Sequence, residues 1–175
     1  MSKKAKLTSL FVVLGGFIAL LWVGLLSEPD KSNQALIDQA FPSFTLPLLG
    51  SPEIRVNEQV FKDSQWTIVN VWASWCVVCE KEHEFLKQLD QQGYFIIGLN
   101  YRDDIASAAQ YLRRNGSPYE VTLYDHDSDL ALRLGVIGTP ETILVDQHGV
   151  VRQRHLGELT PRVWQSKFTP LMEGR

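Results

Sequence analysis

The two cysteines of the 175-residue chain, Cys76 and Cys79, form one C-x-x-C motif between a strand-like and a helix-like segment. Residues 67–72 are β-branched and aromatic, which is typical of a buried strand. Residues 80–92 carry apolar side chains at helical spacing. The order of strand, cysteine pair and helix therefore predicts that Cys76 heads a helix and that Cys79 lies one turn further in.

This placement suits thiol-disulfide exchange. A separation of three residues on a helix brings the two sulfurs within reach of a disulfide. The free N–H groups and the positive dipole end of a helix N-terminus favour a thiolate there. We therefore predict that Cys76 is the attacking sulfur and that Cys79 resolves the mixed disulfide.

A structural bridge and a zinc site are the two other uses of such a pair. Closing a ring of about four residues constrains the unfolded chain by only roughly 2 kcal/mol, against about 4 kcal/mol for a loop of fifty or more. Zinc needs two further ligands, and the four histidines are scattered without a recognisable spacing. Redox chemistry is favoured, zinc is the smaller alternative, and no metal is expected.

The rest of the chain predicts an α/β domain. Strands are expected at 44–49, 54–56, 67–72, 94–100, 121–124, 142–145 and 150–154, and helices at 80–92, 105–114, 128–134 and 160–171. Their alternation implies a sheet with parallel strands. The expected helix caps are Asp103 or Asp104, then Ser128 or Asp127, and finally Thr160 before Pro161.

Residues 7–26 carry no charge, and as a helix they would span roughly 30 Å, the thickness of a bilayer core. No small-x-small cleavage site follows, so an uncleaved anchor is favoured over a signal peptide. Lysines precede the segment and acidic residues follow it, which places the N-terminus inside the cell and exports the remainder. The expected organisation is a cytoplasmic basic tail (1–6), a transmembrane anchor (7–26), a tether (27–39) and a folded domain (40–175).

Charge argues against a nucleic-acid partner. Three of the 17 basic residues precede the apolar segment, whereas all 20 acidic residues follow it. The exported part therefore has a formal net charge of −6, the opposite of a nucleic-acid-binding surface.

Several separated motifs resemble a known family. Trp-Ala-Ser-Trp-Cys-x-x-Cys at residues 72–79, followed far downstream by Gly138-Thr139-Pro140 and a strand, resembles thioredoxin. Residues 135–142 and 157–164 make the chain similar to the thioredoxin-like proteins of cytochrome c maturation, the DsbE/CcmG type. The resemblance implies a thioredoxin-like fold, in which helices flank a mixed central sheet and a cis Pro140 faces the cysteines.

The resemblance also implies a function. Members of this family are periplasmic reductants. Together with the predicted anchor at residues 7–26, this implies a single-pass protein of the bacterial inner membrane with its catalytic domain on the periplasmic side. The implied substrate is a disulfide of apocytochrome c or of a maturation partner. A transmembrane thiol reductase of the DsbD type would supply the electrons, and the disulfide itself would replace any cofactor. The alternatives are a general periplasmic thiol-disulfide exchange protein and an apocytochrome-binding scaffold with little redox turnover.

Two departures from thioredoxin concern the active site. Val77-Val78 stands where proline usually precedes the second cysteine, and Asn70 stands where thioredoxin has a buried aspartate. The resemblance offers Glu82 as the acid instead. Glu82 follows Cys79 by three residues, and Glu141 follows Pro140, so both carboxylates are expected near the sulfurs as catalytic groups.

Three further residues are expected to bind the substrate. Trp75 precedes the first cysteine and offers an apolar surface to a polypeptide. Thr139 and Pro140 would lie beside the sulfurs, where the Thr139 backbone pairs with a substrate strand. His83, by contrast, is expected to be a surface residue of the helix.

Overall fold

The computed structural model describes residues 12–18, 20–22 and 36–174. The chain divides into two units, Met1–Ser32 and Asn33–Arg175, and the described residues of the first are helical and exposed. No helix among the described residues is long and apolar enough to cross a bilayer. The predicted basic tail and most of the tether lie outside the described residues, and the predicted anchor lies only partly within them, so these three assignments stay predictions.

One mixed sheet organises the second unit. Its strands are β1 (Thr45–Leu48), β2 (Ser51–Asn57), β3 (Trp66–Trp72), β4 (Phe95–Tyr101), β5 (Val121–Asp125), β6 (Glu141–Asp146) and β7 (Val151–Leu156). They are arranged in the order β2-β1-β5-β4-β3-β6-β7. β3, β4 and β5 are parallel, while β6 and β7 on one side and β1 and β2 on the other add antiparallel pairs. The predicted mixed sheet is confirmed.

Helices follow most of the predicted segments. They are α1 (Val77–Gln91), α2 (Ile105–Asn115), α3 (Asp129–Arg133) and a C-terminal helical segment with α-helical turns at Pro161–Val163 and Thr169–Glu173 around a π-helical turn at Trp164–Phe168. A 3₁₀ helix at Glu58–Asp63 was not predicted. α1 begins three residues before the apolar periodicity at residues 80–92, which appears only after its first turn, and this start agrees with the prediction that Cys76 heads the helix.

The helix caps refine the sequence analysis. Asp104, rather than Asp103, caps α2 by accepting a hydrogen bond from Ser107 N at 2.9 Å. Thr160 caps the C-terminal helical segment, as predicted. Ser128 occupies the cap position of α3 without a side-chain capping bond. Ser128 therefore takes the predicted cap position, but the carboxylate of Asp125 bonds the first turn in its place, accepting from Ala131 N at 2.8 Å.

Strand alternation divides the core between the two faces of the sheet. Ile68 and Trp72 of β3 pack with Leu86 of α1 and with the C-terminal helical segment, on what we call the α1 face. Val69 and Val71 point to the opposite face, where they pack with α3 and with three phenylalanines, Phe41, Phe44 and Phe61. The period of two along a strand therefore decides which β3 side chains lie under the active-site helix.

The folded unit begins before residue 40. Asp38 N donates to Val151 O at 2.8 Å, and the Asp38 carboxylate pairs with Arg152 at 2.7 Å. Leu36 packs against the core of the face opposite α1. Residues 36–39, which the sequence analysis assigned to the tether, therefore lie against β7.

Candidate active site

Cys76 and Cys79 form a disulfide at the N-terminus of α1. Cys76 is the N-cap residue, and its Sγ accepts a hydrogen bond from Cys79 N at 3.1 Å. Both cysteines are buried in the core of the α1 face. This confirms that the pair heads a helix, where a free N–H points at the first sulfur and would stabilise its thiolate after reduction.

The loop between β4 and α2 holds the segment that precedes Cys76. Ser74 donates both its backbone N–H and its hydroxyl to the buried Asp103 carboxylate, the hydroxyl at 2.7 Å. Asn100 Nδ2 donates to the same carboxylate at 2.9 Å. Asp103, which the sequence analysis treated as a helix cap, is therefore an anchor for the active-site loop. Its partner Ser74 lies 29 residues away, so no local signal distinguished it from Asp104.

Apolar side chains remain exposed around the disulfide. Trp75 is 56% exposed, and its indole Nε1 donates to Arg102 O at 3.0 Å. Val77, between the cysteines, is 70% exposed, and Val78 is exposed as well. The indole is thus oriented by a hydrogen bond while its ring stays open to solvent, which suits a surface that contacts another polypeptide.

The Thr139-Pro140 peptide bond is cis, as the family resemblance implied. Glu141, the next residue, pairs with Val71 near the end of β3 from which the Cys76 loop departs. The sheet therefore brings Thr139 and Pro140 to the same end of the sheet as the cysteine loop, although they lie more than sixty residues downstream.

Glu82 is buried on the inner side of α1, with 1% of its surface exposed. Its Oε1 accepts from Asn70 Nδ2 at 2.7 Å, and its Oε2 accepts from Leu159 N at 2.6 Å. Burial raises the pKa of Glu82 to about 7, and the nearby negative charge of Glu158 adds to this, whereas the bonds from Leu159 and Asn70 oppose it. Glu82 can therefore gain or lose a proton near neutral pH, one helical turn after Cys79.

Asn70 lies at the centre of a buried polar network. Its Nδ2 contacts Glu82 and, at 3.4 Å, Thr142 Oγ1, while its Oδ1 accepts from the hydroxyl of Tyr119 at 2.9 Å. Burial holds the pKa of Tyr119 well above its usual value, so this hydroxyl stays a donor. Asn70 stands out in the sequence as a departure from thioredoxin, whereas Tyr119 lies in no motif and was not predicted to belong to the site.

Glu141 lies on the other face of the sheet from Glu82. Register pairs Glu141 with Val71, and Asn70 with Thr142, so alternation directs Glu141 away from the α1 face. Its Oε1 accepts from Arg154 Nε at 2.8 Å, in an ion pair in which both side chains are buried. Burial raises the pKa of Glu141, while the Arg154 charge opposes this. The structure does not bring the two carboxylates together, and Arg154 was not foreseen.

His83 is buried, so the prediction of a surface residue was wrong. Its Nε2 lies 2.9 Å from Gly116 O, and its ring packs edge-on against Tyr111 of α2. Burial lowers the pKa of His83. The side chain therefore connects α1 to the end of α2.

The described residues contain no group of three or more His, Cys, Asp or Glu side chains able to hold a metal ion.

Comparison with known proteins places this geometry in a family context. The model of the Redoxin family matches residues 37–169. The chain is 40% identical over 177 residues to the thiol:disulfide interchange protein DsbE of Escherichia coli K12, covering 99% of this chain and 96% of that protein. It is 45% identical over 144 residues to DsbE of Yersinia pestis, covering 82% of this chain and 77% of that one.

A solved structure with a similar fold is the secreted thiol-disulfide isomerase of Corynebacterium glutamicum. The TM-score is 0.65 at 25% identity, and the match covers 77% of this chain and 86% of that one.

Proposed function

The chain belongs to the redoxin family and, within it, to the DsbE thiol:disulfide interchange proteins, and on this premise we propose that it is an exported reductant in the biogenesis of c-type cytochromes. It is a thiol-disulfide oxidoreductase, with Cys76 and Cys79 as its redox pair. The proposed substrate is a disulfide of apocytochrome c or of a maturation partner. The proposed location is the periplasmic face of the bacterial inner membrane, with residues 7–26 as a single-pass anchor.

The proposed reaction starts from the reduced protein. The Cys76 thiolate attacks one sulfur of the partner disulfide, that S–S bond breaks, and the partner's other sulfur leaves as a thiolate and takes a proton from solvent. Cys79 loses its proton and attacks Cys76 Sγ, which releases the second partner sulfur as a thiolate that is protonated in turn. Two electrons pass to the partner, and the protein is left with the Cys76–Cys79 disulfide.

The buried carboxyl of Glu82 is the observation that carries the direction of this proposal. A strong oxidant stabilises its reduced, thiolate form. A buried negative charge on the inner side of the same helix opposes a thiolate nearby, because like charges repel strongly where water is excluded. The pair is therefore expected to prefer the disulfide and to give its electrons away.

Glu82 is also the proposed base for Cys79. Its pKa of about 7 allows the ionised form to take the Cys79 proton and pass it on near neutral pH. Asn70 and Leu159 N hold the carboxylate by one hydrogen bond on each oxygen, which fixes its orientation on the helix.

The electrons must be replenished after each cycle. An exported compartment is oxidising, so we propose that a transmembrane thiol reductase of the DsbD type reduces the Cys76–Cys79 disulfide by the same exchange chemistry. No other cofactor takes part in the proposed cycle.

Trapping the mixed disulfide tests the proposal. In Cys79→Ala the second step cannot occur, so a covalent adduct through Cys76 should accumulate in cells that make c-type cytochromes. Cys76→Ala is the matched control and should give no adduct. Apocytochrome c or a maturation protein in the adduct supports the proposal, whereas unrelated exported proteins alone would indicate a general exchange protein.

Two further results would contradict the proposed reductant. Full cytochrome c maturation with Cys76→Ala as the sole copy would indicate a binding scaffold. A reduction potential as oxidising as about −120 mV, measured by equilibration with glutathione, would indicate an oxidant.

A further inference from the structure

Tyr119 is joined to Glu82 through a single amide. Its hydroxyl donates to Asn70 Oδ1 at 2.9 Å, and Nδ2 of the same amide donates to Glu82 Oε1 at 2.7 Å. Tyr119 lies just before β5 and is 9% exposed, and its ring stacks on Trp72 with centroids 5.5 Å apart. Neither Tyr119 nor Trp72 has a part in the proposed chemistry itself.

The absence of a side chain at Gly98 leaves room for the Tyr119 ring beside Asn70. In the parallel register of β3 and β4, Gly98 is the partner of Asn70. A Cβ at Gly98 would lie 2.8 Å from both Trp72 Nε1 and the Tyr119 ring, closer than real side chains approach. The space that a side chain would fill beside Asn70 is therefore occupied by the aromatic stack, which brings the Tyr119 hydroxyl to the amide.

We propose that Tyr119 is a positioning residue, which fixes the orientation of the Asn70 amide and through it the hydrogen bonding of Glu82. An amide can turn either its oxygen or its NH₂ group toward Glu82, and only the NH₂ group complements a carboxylate. In the reversed orientation the tyrosine hydroxyl would face Nδ2, and its own proton would lose its acceptor in a buried site. In the observed orientation Tyr119, Asn70 and Glu82 each have a hydrogen-bond partner.

This role extends the proposed function, because it rests on Glu82 as the proton acceptor of Cys79. The titratable groups that act on or respond to Glu82 are Glu158 in the loop before the C-terminal helical segment, Tyr111 on α2 and Tyr119 itself. Of these, Tyr119 alone is hydrogen-bonded to the amide that contacts Glu82. Its loss would free Asn70 to turn Oδ1 toward a protonated Glu82, which favours the neutral acid.

The titration of Glu82 in the oxidised full chain in detergent tests the proposal, read by ¹³C NMR of the side-chain carboxyl and assigned with Glu82→Gln. Tyr119→Phe should raise the titration midpoint of Glu82 by about half to one pH unit. This is the effect expected when the ionised carboxylate loses the hydrogen bond from Asn70. Tyr111→Phe is the matched control, because the Tyr111 ring also packs on Trp72 but makes no hydrogen bond to Asn70. In this variant the titration midpoint of Glu82 should stay close to the wild-type value. An unchanged midpoint in a folded Tyr119→Phe protein would overturn the proposal.

A measurement on the wild-type protein covers the case in which Tyr119→Phe does not fold. The Tyr119 hydroxyl proton should be visible as a slowly exchanging resonance with a nuclear Overhauser contact to Asn70. A hydroxyl in free exchange with water would refute the positioning role. Neither measurement involves a partner protein, so failure of the trapping experiment and failure of this inference are distinguishable.

Discussion

Asn70 Nδ2 lies 2.7 Å from Glu82 Oε1, so a direct buried hydrogen bond joins the central strand to the active-site helix. Thioredoxin has a buried aspartate at the strand position that Asn70 occupies here. In this chain the strand carries an amide and the helix carries the carboxyl group. The proposed acid–base group therefore lies on α1, one turn after Cys79, and the strand contributes a hydrogen bond to it.

The first prediction concerns stability and pH. The pKa of Glu82 is about 7 in the folded protein against an ordinary value of 4.5, so the folded state binds this proton more tightly than the unfolded state. The contribution of Glu82 to the free energy of unfolding should fall as the pH rises from about 4.5 to about 7, by on the order of 3 kcal/mol, and then level off. Urea unfolding of the oxidised protein across this range measures it.

Glu82→Gln is the control for that experiment, because it removes the titration. The variant should lose stability at every pH, because its NH₂ group must face a donor from Asn70 or from Leu159 N. Its stability should nevertheless change less between pH 4.5 and pH 7 than that of the wild type. Parallel curves of unfolding free energy against pH for the wild type and Glu82→Gln would contradict the assignment of this pH dependence to Glu82.

The second prediction concerns the buried ion pair of Glu141 and Arg154. Arg154→Met leaves a buried carboxylate unpaired and should cost about 3–5 kcal/mol of unfolding free energy. Glu141→Gln should be costly for the matching reason. The double variant should lose much less than the sum of the two, and a double-mutant cycle of urea unfolding measures this coupling. Additive losses would show that the pair does not act as a unit.

The third prediction separates two adjacent aspartates. Asp103→Ala removes the acceptor of both Ser74 donors and should speed amide hydrogen exchange at Ser74 and Trp75. Asp104→Ala removes only the cap of α2 and should cost about 1 kcal/mol of stability. In Asp104→Ala, exchange at Ser74 should remain as in the wild type. Equal exchange in the two variants would contradict the anchoring role of Asp103.

The fourth prediction concerns Trp75. The side chain is mostly exposed, so Trp75→Ala should change the unfolding free energy by no more than about 1 kcal/mol. Thiol-disulfide exchange with the disulfide of a partner identified by trapping should nevertheless slow through a higher KM, because the exposed indole is expected to contact that partner. Leu132→Ala, at an exposed apolar position on α3, is the matched control and should leave KM unchanged. Equal KM values for Trp75→Ala and the wild type would remove Trp75 from the binding surface.

Much of the site was predictable because it is local in sequence. Cys76 at the head of α1, Cys79 one turn inside it and Glu82 on the same helical side follow from spacing on a helix. The order of strands and helices followed from apolar periodicity in the same way.

His83 shows where local reasoning fails. A histidine next to a glutamate, early in a polar helix, has the composition of a surface turn, yet α2 covers it. Burial of a helix side depends on which element packs over it, and that contact joins His83 to Gly116, 33 residues downstream.

The sequence by itself determined the redox pair, its place on a helix and the family to which the chain is similar, because a helix repeats over a few residues and the motifs are contiguous. Only the tertiary structure decided the surroundings of the two acids. Glu82 meets Leu159 across 77 residues, and Glu141 lies on the other face of the sheet with Arg154. Protonation near neutral pH depends on desolvation and on hydrogen-bond partners, and these are set by strand register and packing rather than by neighbours along the chain.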